Sequence, residues 1–314
     1  MDILCLSDIV WGRSRSDTTA QICADIRETD PSLVLFAGDV INDGRNRREH
    51  VDEFLEVLHD LEDAGIQSFT IQGNHDVYSD YDAVVQEVEN LQYAEEISGA
   101  VGEFRGLKVA GIPYSMTHSL EDAKHIAEAF PSRYDVVLAH AETSRRIWLF
   151  EVDAPFIITG HTDEILCQIQ DTVFVSLDSY PDDRVVLNPE DRLLSYRRYD
   201  SPPFSSHKWY KSEVQVVDDE LEWLLNEYDT DDRFIPNLQD RNRKYAARTD
   251  ALISAKAVIE GASQPDEERI VEELLDLGVP KTHIREYLSG YEYLALFRRS
   301  KPGSSATHGL VSSS

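Results

Sequence analysis

The chain has 314 residues, enough for a sizeable core in one large domain or two smaller ones. Hydrophobic residues make up 41%, which excludes a largely disordered chain, and no segment approaches the roughly 18 uninterrupted apolar residues of a membrane span. Asp and Glu number 59 against 30 Lys and Arg, a net charge of −29 that counts against non-specific nucleic-acid binding, because such binding needs a basic footprint.

The first 200 residues alternate strands and helices. Short apolar runs predict buried strands at "DILCL" from Asp2, "SLVLFA" from Ser32, "QSFTI" from Gln67, "LKVAGI" from Leu107, "DVVLA" from Asp135 and "PFIIT" from Pro155. Val51, Phe54, Leu55, Leu58 and Leu61 form one face of an amphipathic helix, ended by Gly65. Tyr81, Val84, Val85, Val88 and Leu91 predict a second helix, and Leu120 to Phe130 a third, stopped by Pro131. Strands then follow at "TVFVSLD" from Thr172, "RVVL" from Arg184 and "LLSYRRY" from Leu193, with "NPED" as the turn between the last two. This is an α/β pattern with extra antiparallel strands at its end.

Residues 201–211, opening "SPPFSSHK", read as a linker. Residues 212–300 read as a helical appendage. Val214, Val217, Leu221, Leu224, Leu225 and Tyr228 give one helical stripe, and Ile270, Leu274, Leu275, Ile284 and Leu288 flank an "LGVP" turn. "LDLGVPKTHIREYL" has the look of a helix-turn-helix, but a plain helical hairpin suits so acidic a chain better. Residues 301–314 are expected to be disordered.

Only eight of the basic residues are Lys, and the acid is spread along the whole chain. That pattern points to a protein working in concentrated salt, as in salt-loving archaea, where screening offsets the repulsion; a dedicated acidic partner face is the other reading. Met-Asp followed by an apolar run has no basic n-region, so no secretory leader is expected. The cysteines are odd in number and widely spaced (Cys5, Cys23, Cys167), so neither a disulfide framework nor a cysteine zinc site is indicated, and a reducing cytoplasm is expected.

The chemistry-bearing residues cluster just after strands. Asp8 follows the first, Asp39 and Asp43 the second, and Asn74, His75 and Asp76 the third. His140 follows "DVVLA", and His161 and Asp163 follow "PFIIT". Ligands of open α/β sheets bind at the carboxyl ends of strands. One such residue is an ordinary turn or cap; five strand ends in register point to a two-metal centre. Two divalent cations about 3.5–4 Å apart need a bridging carboxylate, and can clamp a phosphate oxygen and supply a hydroxide nucleophile. Gly38 and Gly73 precede the donors and allow close backbone approach.

The motifs "SDIV", "GDVIND", "GNHD", "AH" and "GHTD" follow one another across residues 1–200 in the order of the calcineurin-like metallophosphoesterases, whose pattern they resemble. The resemblance implies a four-layer α/β/β/α sandwich, here with the C-terminal helical appendage. It implies Asp39 as the bridging carboxylate, with Asn74, His140 and His161 completing one metal site. Asp8 matches a ligand of the other. His75 matches the family histidine that faces the phosphate and assists the leaving oxygen; Asn42, Asp43 or Asp76 could orient it. Asn74 also faces the phosphate by this match, and Arg13, with Trp11, is a candidate substrate contact.

Two positions depart from the family pattern. Val10 stands where a histidine of the first motif belongs, and Asp163 where the last motif has its second histidine. Both belong to the site of Asp8, which would keep Asp8, Asp39 and Asp163. Replacing two imidazoles by one carboxylate makes that site harder, favouring Mn²⁺ or Mg²⁺; its loss would leave a single ion. The implied activity is hydrolysis of phosphate mono- or diesters by metal-bound hydroxide, on a phosphorylated small molecule or nucleotide, with nucleic acid less favoured. Two other readings stand beside it: a non-catalytic metal-binding scaffold that docks a protein partner through the C-terminal helices, and a nuclease subunit acting in a complex.

Overall fold

The computed structural model describes residues 1–9, 18–41, 47–117, 126, 128–142, 146, 149–161, 165–177, 180, 183–200, 208–217, 220–228, 234–261, 267–276, 279, 281 and 284. The chain divides into two compact units, Met1–Ala246 and Ala247–Ser314.

The first unit opens as a run of βα repeats. These are β1 (Ile3–Leu6), α1 (Thr18–Thr29), β2 (Leu33–Phe36), α2 (Arg47–Ala64), β3 (Gln67–Thr70), the single turn α3 (Asn74–Val77), α4 (Tyr81–Val88) and β4 (Ala94–Glu96). Then come β5 (Val101–Phe104), β6 (Leu107–Ile112), a 3₁₀ turn at Tyr114–Thr117, β7 (Val136–His140), β8 (Phe156–Gly160), β9 (Ile165–Ile169) and β10 (Thr172–Ser176). The strands β11 (Asp183–Asn188), β12 (Leu193–Asp200), β13 (Lys208–Val217) and β14 (Glu220–Tyr228) precede two helices, α5 (Phe234–Gly261) and α6 (Glu267–Asp276).

Two mixed sheets result. One has eight strands in the order β14-β13-β12-β11-β1-β2-β3-β4, the other six in the order β5-β6-β7-β8-β10-β9. The strands that carry the site are parallel within each sheet: β1, β2 and β3 in the first, β7 and β8 in the second. Alternation sends Ile3, Cys5, Leu33 and Leu35 into a core shared with Val136, Leu138, Phe156 and Ile158 of the facing sheet. The other faces of β1 and β2, with Leu4, Leu6, Val34 and Phe36, pack on Ile22 and Ile26 of α1 and on Phe54, Leu58 and Leu61 of α2. On the outer face of the six-stranded sheet, Phe174 stacks against Phe150 and lies beside Tyr245 of α5. This is the expected α/β/β/α layering.

The helical reading of 214–228 is corrected. Those residues form the hairpin β13–β14, which extends the eight-stranded sheet by pairing on β12. Val214 faces Trp223 and Val216 faces Leu221 across the ladder. Apolar residues there fit a two-residue period as well as a helical one, and the open edge of β12 supplies the partner that decides between them. Residues 208–211, read as linker, also belong to β13. The C-terminal helices therefore begin at Phe234, not at 212. In the second unit Leu274, Val279 and Ile284 are buried, and the Val279 N–H closes the end of α6 on the Leu274 carbonyl at 3.0 Å. Most of the helix expected at 120–130 and the whole tail 301–314 lie outside the described residues. Among the described residues no helix is long and apolar enough to cross a membrane.

Candidate metal centre

Parallel strands aim their carboxyl ends in one direction, and here five ends from two sheets deliver the site. Asp8, Asp39 and Asn74 follow β1, β2 and β3; His140 closes β7 and His161 follows β8. β1, β2, β7 and β8 are mostly apolar, whereas β3 has Phe69 as its one apolar side chain; in each case the donor falls where the ladder stops.

The backbone at these ends is strained. Asp8, Asp39 and His161 all have positive φ, of 52°, 53° and 98°. A non-glycine residue in that region costs on the order of 1–3 kcal/mol, and such costs collect at functional sites. The turns close tightly: the Asp8 N–H donates to the Gly38 carbonyl at 3.1 Å and the His161 N–H to Asp8 Oδ2 at 2.9 Å. Glycines make the approach sterically feasible. A Cβ on Gly73 would lie 2.2 Å from both the backbone N and Oδ1 of Asp39, and one on Gly160 only 1.8 Å from Ser7 Oγ. Gly38 has φ +86° and backs directly onto His140.

The donor atoms converge. Candidate ligand atoms of Asp39, His140 and His161 lie within 4.8 Å of one another. That spread is about twice an ordinary metal–ligand bond of roughly 2.0–2.2 Å, so one cation can reach all three. Asn74 Oδ1 joins them, 2.9 Å from His140 Nε2, and Asp39 Oδ2 lies 3.4 Å from the same nitrogen. The opposite nitrogen of that ring, Nδ1, faces the Ala37 carbonyl at 2.7 Å, which leaves Nε2 for the site. Asp8 is almost sealed from solvent, with Ser7 Oγ at 2.5 Å from its Oδ2.

The electrostatics call for a cation. Burial and the neighbouring Asp39 push the Asp8 carboxyl up to about 6, against the pull of His140. Burial would also raise Asp39, but the charge and hydrogen bond of His140 hold it below the usual carboxylate value. Burial would depress His140, yet Asp39 and Asp8 beside it raise it to about 9. Burial and the charge on His140 take His161 down to about 4. The proton on His140 thus occupies the place in the charge balance that a metal ion would take, and metal binding would release it. Two buried carboxylates that repel one another, two imidazoles and an amide oxygen fit a divalent ion.

His75 lies at the edge of this group. Its N–H donates to Asp39 Oδ1 at 2.8 Å, and its ring nitrogen Nε2 is 4.0 Å from Asp39 Oδ2. Its side chain is 24% exposed while those of Asp39 and His140 are sealed, so it can meet a ligand arriving from solvent. Of the three groups that could orient it, Asp76 has a different connection. Its carboxylate accepts the N–H groups of Asp39, Ile41 and Gly73, each at 2.8 Å, and lies 3.4 Å from that of Val40. It clamps the loop after β2 to the loop after β3. Burial and Asp39 raise its carboxyl to about 7, while these N–H donors hold it down. Asn42, Asp43, Val10, Trp11, Arg13 and Asp163 lie outside the described residues.

Sequence reasoning passed over Tyr114. Its ring centroid is 5.4 Å from that of His161 and 6.0 Å from that of His140. A tyrosine in a short 3₁₀ turn carries no ligand signature, so nothing in the motif pattern pointed to it.

The family model for calcineurin-like phosphoesterases matches residues 1–164, more than half of the chain. The chain belongs to that family. Solved structures similar to this chain include a dimetal phosphatase from Danio rerio, at 10% identity with 73% of this chain and 98% of that one covered, TM-score 0.44. They also include a single mutant of Vps29 from Entamoeba histolytica, at 12% identity covering 73% and 100%, TM-score 0.34. Vps29 from Chaetomium thermophilum matches at 13% identity over 73% and 95%, TM-score 0.33. No curated protein matches the chain in sequence.

Proposed function

We propose that the chain is a metal-dependent hydrolase of phosphate mono- or diesters. The observation that carries this reading is the convergence of Asp39, His140 and His161 within 4.8 Å, with a partly exposed His75 at the edge. Asp39, Asn74, His140 and His161 would hold one divalent ion, and Asp8, Asp39 and Asp163 a second. The bound ions supply Lewis acidity and an activated water near neutral pH, and the oxygen-rich second set favours Mn²⁺. Asn74 turns Oδ1 toward His140 and keeps its NH₂ to donate to a phosphate oxygen. His75 holds its imidazole at the edge of the cleft, where it can give a proton to the departing oxygen. The tight glycine turns keep the donors fixed and leave little room for water behind them.

The test is a metal-stripped protein in concentrated salt, assayed with added Mn²⁺ on p-nitrophenyl phosphate and bis(p-nitrophenyl) phosphate. Turnover restored by Mn²⁺ supports the hydrolase. Tight binding of one ion with no turnover under Mn²⁺, Mg²⁺ or Zn²⁺ would support a scaffold that docks its partner through α5 and α6. Cleavage of single- or double-stranded DNA, without hydrolysis of the small esters, would point to the nuclease.

Two results are expected from this scheme. His75→Ala lowers kcat by about 10²- to 10⁴-fold while Mn²⁺ affinity by calorimetry stays near wild type; an equal loss of metal binding would make His75 a ligand instead. Val10→His returns an imidazole to the Asp8 site and tightens its ion by on the order of tenfold. Unchanged stoichiometry and affinity in that variant would count against a second ion.

A further inference from the structure

His140 and His161 are held in different ways. The His140 ring is fixed through Nδ1 on the Ala37 carbonyl. The His161 ring makes no hydrogen bond among the described residues; its backbone N–H is what binds Asp8, and two rings lie against its imidazole. A metal-binding histidine normally has its second nitrogen tied to an outer partner that sets the ring plane. His161 lacks that tie, is only partly buried and starts from a strained backbone at φ 98°.

Tyr114 stands where the missing constraint should be. Its ring lies 5.4 Å from the His161 ring, tilted by 41°, and the His140 ring is 5.0 Å away on the imidazole's other contact. Tyr114 is anchored at both ends. Its N–H donates to the Gln72 carbonyl at 3.0 Å, on the loop that leads to Asn74. Its hydroxyl donates to Glu142 Oε1 at 3.1 Å, two residues past His140. Thr117 Oγ1 donates to the Tyr114 carbonyl at 2.8 Å and closes the 3₁₀ turn that presents the ring. One residue thus ties the loop after β3, through its backbone, to the loop after β7, through its hydroxyl, and its ring walls the residue after β8.

We infer that Tyr114 is a positioning residue for the metal centre, setting the plane of the His161 imidazole by ring contact in place of a hydrogen bond. This rests on the metal-centre reading above. The flat face is the working part, and the hydroxyl anchor to Glu142 is secondary. Losing an outer partner of a metal-binding histidine weakens metal affinity by about 10- to 100-fold.

The experiment measures Mn²⁺ affinity by calorimetry on the full chain, with circular dichroism on each variant and the visible spectrum of the Co²⁺ form. Tyr114→Leu should weaken Mn²⁺ about tenfold or more and alter the Co²⁺ bands, while Tyr114→Phe, which keeps the ring, stays within about threefold of wild type. In a His161→Ala background Tyr114→Leu should have no further effect, because the contact it removes is already gone. Wild-type affinity in Tyr114→Leu would overturn the inference. So would a Tyr114→Phe as weak as Tyr114→Leu, or an undiminished effect in the His161→Ala background. If Tyr114→Leu fails to fold, Tyr114→Met fills the volume without a flat face and takes its place under the same criteria. A wild-type protein that binds Mn²⁺ but hydrolyses nothing would sink the hydrolase reading and leave this inference standing; one that binds no Mn²⁺ would sink both.

Discussion

Asp39→Ala is expected to abolish Mn²⁺-dependent hydrolysis, with kcat/KM falling by on the order of 10³-fold or more on either generic ester. No other side chain in the centre is asked to do as much. Oδ2 faces His140 Nε2 at 3.4 Å, and Oδ1 takes the N–H of His75 at 2.8 Å. Removing the carboxylate would delete a donor that could hold a metal ion, together with the acceptor that seats the turn carrying Asn74 and His75. Asp39→Asn separates the two losses, because its amide oxygen can still accept from His75 while the charge is gone. If Asp39→Asn loses activity as fully as Asp39→Ala, charge dominates. Mn²⁺-dependent turnover within about tenfold of wild type in Asp39→Ala would remove the centre from the mechanism.

The second large effect is on stability. Asp76→Ala should destabilise the metal-free protein by about 3–5 kcal/mol, measured by denaturant unfolding. Its carboxylate is 1% exposed and takes three backbone N–H groups at 2.8 Å, from Asp39, Ile41 and Gly73. Alanine would strand those donors away from water, and each stranded donor costs roughly 1–3 kcal/mol. Asp76→Asn should fall between, since one of its two terminal atoms would point N–H at N–H. A loss under about 1 kcal/mol in Asp76→Ala would mean that water or a shifted loop replaces the clamp.

The site was legible in the sequence because parallel strands buried on both faces read as unbroken apolar runs. Asp8, Asp39, Asn74, His140 and His161 stand out as metal-binding residue types at or just past their carboxyl ends. The helix α2 was legible for the same kind of reason, a wide apolar stripe ended by a glycine at φ +67°. The helix α1 was not: its buried side includes Thr18 and Asp25, and Asp25 is held by Gln21 one turn away and by Tyr180 and Arg184 from far along the chain. The hairpin β13–β14 was misread because local spacing cannot register the waiting edge of β12. Asp76 and Tyr114 illustrate a further limit. The first acts on backbone N–H groups and the second through a ring face, and neither partner leaves a residue type to recognise.

The glycines at 38, 73 and 160 have one more implication. Main chain, not side chains, fills the space behind the aspartates and His140, so almost any replacement there collides before it can re-tune anything. An engineer seeking a different metal preference has no room on the inner side of the centre. Adjustment must come from positions that do not back onto these glycines. A hard-packed interior confines variation to its periphery.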